Sequence, residues 1–320
     1  MAVPDAPRPV AARAEPFEPS AEQWGPHRWT SELGPALVVA LRGLLKASPS
    51  DRPAHRHGVV WAGSFTPSGE AAGLSDFVGF RGSEYPVFAR FSNLFRKPGK
   101  RDVRGMAAKL MLPGGEVTDL VAMSAEVFPV RSSRDFLALL NALQKGPLRC
   151  LPSVAAMLGS RRLSAHAVLL ALVTTVRNGD AKTTTFHGVH TYHLVRNTGP
   201  GVPPERRLVR YRWVPAGSAE TGRAADSSNT GQLRFTLELV LGHPGWGRVN
   251  DPTWRWPRRA PTVRSGELVL DRTIEPEPRE LAFNPAVMAP GIEPPDDGLF
   301  SDRAGAYAVA QASRRPRAAS

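Results

Sequence analysis

The clearest set of side chains that could carry chemistry lies near the carboxyl end of the sequence. In SDRAGAYAVAQASRRPR (301–317), Arg303 and Tyr307 are four residues apart, and Arg314 lies two turns further on. In a helix these three side chains share one face. Neighbouring positive charge favours the phenolate form of a tyrosine, and phenolate is one of the protein ligands of haem iron. Taken alone, the spacing more commonly belongs to an exposed helix with a packed tyrosine and solvated arginines.

Histidines form a second set, with His55 and His57 close together and His187, His190 and His193 further along the chain. On a strand, His55 and His57 would share a face, and so would His187 and His193. No carboxylate lies at a spacing that would complete a metal-binding set. By themselves these clusters therefore indicate structural or surface histidines.

Composition and motifs exclude several classes of function. The chain has 320 residues, 31 prolines, 42% apolar residues and a single cysteine, Cys150, which excludes a disulfide framework and a multi-cysteine metal site. Walker, GxGxxG, GxSxG and HExxH motifs are absent, so common nucleotide, α/β-hydrolase and zincin signals are missing. The net charge of +12 brings in nucleic-acid binding as a hypothesis. The arginines are scattered among prolines without a recognition motif, so we expect no nucleic-acid partner.

Two segments bear on localisation. The amino terminus carries prolines and acidic residues where a secretory signal needs a continuous apolar stretch. The longest apolar run, Ala165 to Val176, is much shorter than the ~20 residues of a membrane span. We therefore expect a cytoplasmic protein without a transmembrane segment, in which this run forms a buried helix.

The elements that would position these residues follow from periodicity. Residues 1–20 resemble a flexible arm, and 21–320 show no internal boundary, so one domain is predicted. Leucines at helical spacing predict a helix over 31–46, and apolar spacings of three and four predict helices near 136–143 and 163–176. Strands are predicted at 58–66, 86–93, 104–112, 119–124, 208–214 and 233–241. The fold class is α+β, an antiparallel β-barrel with surrounding helices. Ser301 or Asp302 is expected to cap the last helix, which Pro316 ends.

Seven segments, in order, resemble the haem catalase family. They extend from about residue 50 to 315 and are RPAHRHGVVWAGSF (52–65), PVFARFSN (86–93), RDVRGMAAKL (101–110), DLVAMSAEVFPVRSSRDF (119–136), GVHTYHLVRN (188–197), WRWPRRAPTVRSGELVLDR (254–272) and LAFNPAVMAPGIEPPDDGLFSDRAGAY (281–307). The resemblance covers the core of full-length catalases without their long arm and carboxyl-terminal domain. It is nearer to the short catalase-related peroxidases.

The resemblance implies one haem b, whose iron would be bound axially by Tyr307. Arg303 matches the cation that hydrogen-bonds this phenolate, and Asp297 and His190 match residues that support the arginine. Phe136 matches the aromatic side chain beside the haem plane.

Three arginines match the positions that pair with the haem propionates, namely Arg52, Arg90 and Arg314. Buried carboxylates require charge-assisted partners, and arginine offers two directed donors. On the opposite side of the haem, His55 matches the distal acid–base histidine, and Ser92 the hydroxyl that orients it. His57 falls where catalases have a lysine and is assigned a structural role.

One position departs from the family pattern. Where catalases carry a distal asparagine this chain has Met123, followed by Ser124. A thioether cannot donate the hydrogen bond that asparagine gives to bound peroxide. Either Ser124 substitutes after a shift in register, or the site works without that donor, or the change is drift in a retained haem protein. Met123 and the small Ala54 would widen the pocket for an organic hydroperoxide.

The resemblance therefore implies a haem peroxidase that uses hydrogen peroxide or an organic hydroperoxide, with His55 as acid and base. The alternatives are rearrangement or dehydration of a specific substrate, as in the allene oxide synthase relatives, or residual true catalase activity. A haem-binding or haem-sensing protein without turnover and a basic nucleic-acid binder are further alternatives. A homodimer is left open.

Overall fold

The computed structural model describes residues 31–94, 102–177, 180–216, 231–278 and 280–314. The arm predicted over residues 1–20 lies outside these ranges. Within them the chain forms ten strands, all paired antiparallel, and five α-helices. The strands are β1 (Gly58–Pro67), β2 (Tyr85–Asn93), β3 (Arg104–Met111), β4 (Val117–Met123), β5 (Phe186–His187), β6 (Tyr192–Arg196), β7 (Glu205–Pro215), β8 (Leu233–Leu241), β9 (Thr262–Ile274) and β10 (Ile292–Glu293). The helices are α1 (Gly34–Leu45), α2 (Ser133–Gln144), α3 (Leu151–Gly159), α4 (Ala165–Arg177) and α5 (Gly298–Ala312).

Eight of these strands close into a barrel. Going round it, β1 is followed by β2, β3, β4, β5, β7, β8 and β9, and β9 pairs with β1 again. Strands β6 and β10 extend the sheet outward from β7. The α+β fold with an antiparallel β-barrel and surrounding helices is therefore confirmed.

The barrel core comes from one face of each strand, as the alternation in the sequence predicts. In β8, Leu233, Phe235, Leu237 and Leu239 are buried in the core, whereas Arg234 between them is exposed. The same core also takes in Val87 and Ala89 of β2, Met106 and Ala108 of β3, Trp213 of β7 and Leu268 and Leu270 of β9. The outward faces of β1 to β4 are left to contact loops and helices.

The last helix begins earlier than predicted. Its N-cap is Asp297, whose Oδ1 accepts a hydrogen bond of 2.6 Å from the backbone N–H of Phe300. The predicted cap at Ser301 or Asp302 was therefore wrong, because both residues lie inside the first turns of α5. Pro316 lies outside the described residues. Through Ala306, α5 packs with α1 and α2 in an apolar cluster that also holds Leu37 and Leu140.

The helix predicted as buried over 165–176 is α4, and its burial was predicted wrongly. Ala167 is 1% exposed, whereas Leu169 and Leu172 are 58% and 60% exposed. Over residues 165–173, apolar side chains lie on the packed side of the helix and on its exposed side as well. Among the described residues, no helix combines the length and apolar character that crossing a bilayer requires.

Candidate active site

The site is built on the outward face of the barrel. In β2, Ala89 points into the core, so Arg90 and Ser92 point outward. His55, on the loop before β1, lies against this face. Ser92 Oγ is 3.1 Å from His55 Nδ1, and Arg90 Nη1 donates a hydrogen bond of 2.8 Å to the His55 carbonyl oxygen. One strand face thus holds both the ring and the backbone of His55.

His55 has an unusual backbone conformation, and the adjacent strand leaves space for its ring. Its φ is 55°, in the left-handed region that non-glycine residues rarely adopt. A Cβ on Gly105 of β3 would lie 2.9 Å from His55 Cε1 and 3.2 Å from Ser92 Oγ. Only glycine at 105 therefore leaves this pair undisturbed. His55 and His57 both precede β1, so the condition under which they would share a strand face is not met.

His55 is held in its neutral form. Desolvation, followed by the positive charges of Arg90, Arg303 and Arg52, lowers its pKa to about 4. When Nδ1–H donates to Ser92 Oγ, the lone pair of Nε2 is left to accept a proton. Arg303 belongs to α5, and Phe300 and Ala304 of the same helix pack in the apolar cluster that contains the barrel core.

Three arginines converge beside the histidine on one carboxylate. Glu277 Oε1 accepts hydrogen bonds of 2.6 Å from Arg52 Nη2 and 2.8 Å from Arg90 Nε. Arg314, at the end of α5, is close enough for Glu277 and Arg90 to influence its pKa, which burial lowers. Its Nε is buried, and no hydrogen-bond partner for it lies in the described part of the chain. The cluster formed by Arg52, Arg90, Arg314 and Glu277 therefore has more positive charge than Glu277 can neutralise.

Glu277 ionises readily in this cluster. Burial raises its pKa, but the charges and hydrogen bonds of Arg52 and Arg90 outweigh that effect and leave the pKa below its usual value. The cis peptide bond Glu275–Pro276 lies just before it in the chain.

A second hydrogen-bonded chain supports α5. Arg303 Nη1 is 2.5 Å from His190 Nε2, and His190 Nδ1 is 2.9 Å from Asp297 Oδ2. Burial lowers the pKa of His190, although Asp297 opposes this. Burial raises the pKa of Asp297, but the hydrogen bonds from His190 and from the Phe300 N–H, together with the charge of Arg303, outweigh it and hold the pKa below its usual value. Tyr307, one turn after Arg303 on the same helix, is partly buried.

An aromatic pair lies between α2 and α5. The rings of Phe128 and Phe136 meet edge to face at 5.0 Å, and the Arg303 guanidinium lies 5.1 Å from the Phe128 ring centre. Ser132 caps α2 by accepting a hydrogen bond from the Asp135 N–H, which fixes the start of the helix that carries Phe136.

Met123 lies at the end of β4, directly opposite Gly105. It packs in the apolar cluster that includes Phe128 and Phe136. Ser124 is buried, and its Oγ accepts a hydrogen bond of 3.0 Å from the Arg104 backbone N–H. The pairing of β3 with β4 is continuous from Met111–Val117 to Gly105–Met123, so Met123 is the residue opposite Gly105, and Ser124 follows the end of the strand.

The structure gathers the sequence-predicted residues around the space between the barrel and α5. One group, joined by hydrogen bonds or charge, consists of His55, Ser92, Arg52, Arg90 and Arg314. A second group meets at Phe128 and consists of Met123, Phe136 and Arg303. Tyr307 lies one turn after Arg303 on α5. His187 and His193 lie on separate strands, β5 and β6, so the condition under which they would share a strand face is not met. Sequence reasoning missed Glu277 and Phe128. Neither has a periodic signal, and Glu277 is 225 residues from Arg52 in the chain.

The scaffold is an eight-stranded antiparallel barrel with a carboxyl-terminal helix, α5, that carries Arg303 and Tyr307. A family model described as "Catalase" matches residues 46–232, more than half of the chain. The chain belongs to the catalase family.

Individual relatives cover most of the chain. It is 29% identical over 302 residues to a catalase-related peroxidase of Mycolicibacterium paratuberculosis, covering 85% of this chain and 91% of the relative. It is 25% identical over 303 residues to a catalase-related peroxidase of Synechococcus elongatus, covering 87% of each. Against catalase isozyme 1 of Solanum lycopersicum, the identity is 26% over 315 residues, and the match covers 63% of that longer protein.

Proposed function

We propose that this catalase-family enzyme, a haem-dependent oxidoreductase acting on peroxide, works as a peroxidase on hydrogen peroxide or an organic hydroperoxide. The observation that carries the proposal is the neutral His55, hydrogen-bonded to Ser92 and facing a surplus of arginine charge, with Met123 next to its supporting glycine. The two relatives of similar length carry the name catalase-related peroxidase.

The residues present fit a haem b. Arg52, Arg90 and Arg314 supply three cations against one carboxylate, so two propionates would complete the charge balance. The buried Nε of Arg314, which has no hydrogen-bond partner among the described residues, would gain an acceptor. Tyr307 would bind the iron, and Arg303, fixed by His190 and Asp297, would stabilise its phenolate.

The bound haem iron would supply the redox centre at which the peroxide O–O bond is cleaved. His55 Nε2 would accept the proton from the inner peroxide oxygen and return it to the outer oxygen, which leaves as water or an alcohol. The pKa of about 4 keeps the ring neutral and ready to accept that proton. Ser92 holds the ring in the orientation that this transfer needs.

Met123 would set the preference between reactions. It presents an apolar thioether where a hydrogen-bond donor would otherwise hold a second hydrogen peroxide molecule. Disproportionation of hydrogen peroxide would therefore be slow, and a reducing co-substrate would complete the cycle. The same apolar surface would admit the alkyl group of an organic hydroperoxide.

We assign residues 21–320 to a single domain. The barrel begun by β1 to β4 is closed by β5, β7, β8 and β9, which follow three helices in the sequence. Cutting the chain between these two strand groups would open the barrel, so neither part would retain a closed core.

The proposal is tested on the haem-loaded full-length chain with three assays: hydrogen peroxide alone, hydrogen peroxide with a reducing dye, and a lipid hydroperoxide alone. Dye oxidation with little oxygen release is expected. His55→Ala should lower dye turnover about 10²-fold or more, since general acid–base catalysis typically contributes that much. His57→Ala is the matched control and should retain turnover.

Other outcomes would contradict specific parts of the proposal. Vigorous oxygen release would show that Met123 does not suppress disproportionation. Conversion of the lipid hydroperoxide without reductant would favour rearrangement. A Tyr307→Phe protein with the ferric phenolate spectrum of the wild type would rule out Tyr307 as the iron ligand.

A further inference from the structure

Large exposed apolar side chains are concentrated in one short part of the molecule. Of the eight found among the described residues, six lie within residues 145–173, called here the α3–α4 segment. They are Leu148, Leu151, Leu158, Val168, Leu169 and Leu172, each between 37% and 79% exposed. The other two, Val39 and Val202, are isolated. Concentrated exposure of this kind marks an interaction surface, whereas single exposed apolar residues are ordinary.

In α3 the exposed residues form a stripe along the helix. Leu151, Ala155 and Leu158 follow one another at spacings of four and three, so they share one side. Met157, on a different side, is 5% exposed and packs in the cluster that also holds Phe136. The helix is therefore anchored by one side and presents an apolar stripe on another.

Helix α4 likewise has one packed side and one exposed apolar side. Val168, Leu169 and Leu172 fall within an arc of about 100° on the side away from the buried Ala167. The connection between the helices is fixed, because Leu163 is 3% exposed and forms a β-bridge with Val130. Both apolar stripes thus belong to well-anchored elements.

The α3–α4 segment is also purely basic. It contains Lys145, Arg149, Arg161 and Arg162 and no aspartate or glutamate. Arg162 pairs with Asp135 of α2, at 2.5 Å from Nε to Oδ1. Arg149 and Arg161 are exposed, and among the described residues neither forms an ion pair. The segment therefore combines exposed leucines with unneutralised positive charge.

We propose that the α3–α4 segment binds the surface of an anionic lipid bilayer. Leucine side chains would enter the boundary between headgroups and acyl chains, and the arginines would contact lipid phosphates. A second copy of the chain is a poorer occupant, because an isologous contact would pair this segment with itself, and it contains no aspartate or glutamate to neutralise the arginines of the other copy. With 9 and 13 residues, α3 and α4 would lie on the bilayer without crossing it.

The inference rests on surface chemistry alone and does not depend on the haem proposal. The test is co-sedimentation of the full-length chain with vesicles of phosphatidylcholine, alone or mixed with phosphatidylglycerol. The wild-type chain should bind the phosphatidylglycerol vesicles at low salt and bind less at high salt. Phosphatidylcholine alone should retain little protein.

Two variants separate the apolar and charged contributions. Leu169→Ser with Leu172→Ser should weaken the partition coefficient at least about tenfold, because two apolar side chains are lost from the interface. Arg149→Gln with Arg161→Gln should weaken binding to phosphatidylglycerol vesicles by about tenfold. The matched control, Val39→Ser with Val202→Ser, removes equally exposed apolar residues elsewhere and should bind within about twofold of wild type. Circular dichroism checks that every variant is folded.

Three results would overturn the proposal: no binding to phosphatidylglycerol vesicles at low salt, equal loss of binding in the leucine and control variants, or a dimer in solution that the leucine variant converts to monomer. The last result would assign this surface to a second copy of the chain.

Discussion

At the scale of single residues, the site depends on keeping a histidine neutral amid positive charge. Desolvation and three arginines all disfavour a proton on His55, and no carboxylate is among the causes that set its pKa. The ring is therefore neutral at physiological pH, and Ser92 Oγ lies within hydrogen-bond distance of its Nδ1. The same arginines that would hold propionates thus also prepare the proposed proton acceptor.

The pH dependence of turnover follows from that pKa. A histidine with the usual pKa near 6.5 would lose its basic form in mildly acidic solution. With a pKa of about 4 in the folded protein, kcat/KM should stay constant down to about pH 5 and halve near pH 4. Steady-state dye oxidation across this range measures it. An inflection near pH 6.5 would show that His55 is not desolvated in the working enzyme.

The arginine contribution can be separated from desolvation. Arg90→Gln removes the largest charge effect on His55, so the inflection in kcat/KM should move to higher pH.

The depressed pKa of His55 should also make the stability of the fold depend on pH. Because folding depresses this pKa, the unfolded chain binds the proton at a higher pH than the folded chain does. The free energy of unfolding should therefore fall as the pH is lowered from about 6.5 to 4. A free energy of unfolding that rises as the pH is lowered over this interval would contradict a depressed pKa of His55 in the folded protein.

At the scale of elements, the site is made of two rigid supports, the outer face of the barrel and α5. The register β2–β3–β4 places Ser92 opposite Gly105 and Gly105 opposite Met123. Helix α5 is positioned by Asp297, which both caps the helix and accepts a hydrogen bond from His190. One carboxylate thus joins the start of the helix to the chain that holds Arg303.

The two roles of Asp297 can be distinguished by a pair of variants. Asparagine caps helices about as well as aspartate, whereas alanine does not, so Asp297→Ala should lower the free energy of unfolding by about 1 kcal/mol more than Asp297→Asn. Both should lower dye turnover, because both remove the charge that orients His190 and Arg303. Urea unfolding and steady-state kinetics measure the two effects. Equal stability of the two variants would show that the cap contributes little.

The barrel strands could be predicted from the sequence because each alternates between core and surface. In β8, Leu233 and Phe235 point into the core and Arg234 points outward. Only a half-buried strand satisfies this alternation. The burial of α4 could not be predicted this way, because an apolar run does not show which side of the helix packs against the rest of the protein.

The site itself was predictable from the sequence only through resemblance. His55 and Ser92 are 37 residues apart, and nothing local in the sequence connects them until β2 is placed beside the loop before β1. Glu277 was missed for the same reason. A single acidic residue between prolines has no periodicity, and its partners Arg52 and Arg90 lie far away in the chain. The N-cap of α5 was predicted at Ser301 or Asp302 and not at Asp297, because serine and aspartate are good capping residues wherever they occur near a helix start.

At the scale of the whole molecule, the basic excess divides into at least two parts. One part, Arg52, Arg90 and Arg314, lies inward around Glu277, between the barrel and the end of α5. The other includes Arg149 and Arg161, on the exposed α3–α4 segment. The first part repels itself in the absence of an anionic ligand, so its neutralisation should tie α5 to the barrel.

That coupling predicts how the molecule's stability responds to haem. A ligand that binds only the folded state stabilises it by RT ln(1 + [L]/Kd), about 2.7 kcal/mol at a hundredfold excess over Kd. Haem should therefore raise the thermal unfolding midpoint. Haem dimethyl ester, which has the same ring and iron without propionate charge, should raise it less, because Arg314 Nε and the surplus cations stay unneutralised. Arg314→Met should remove most of the difference between the two ligands, while Arg149→Met, on the exposed segment, should preserve it. If haem and its ester stabilised the wild-type chain equally, the arginine cluster would not be the propionate site, whatever activity the loaded enzyme had.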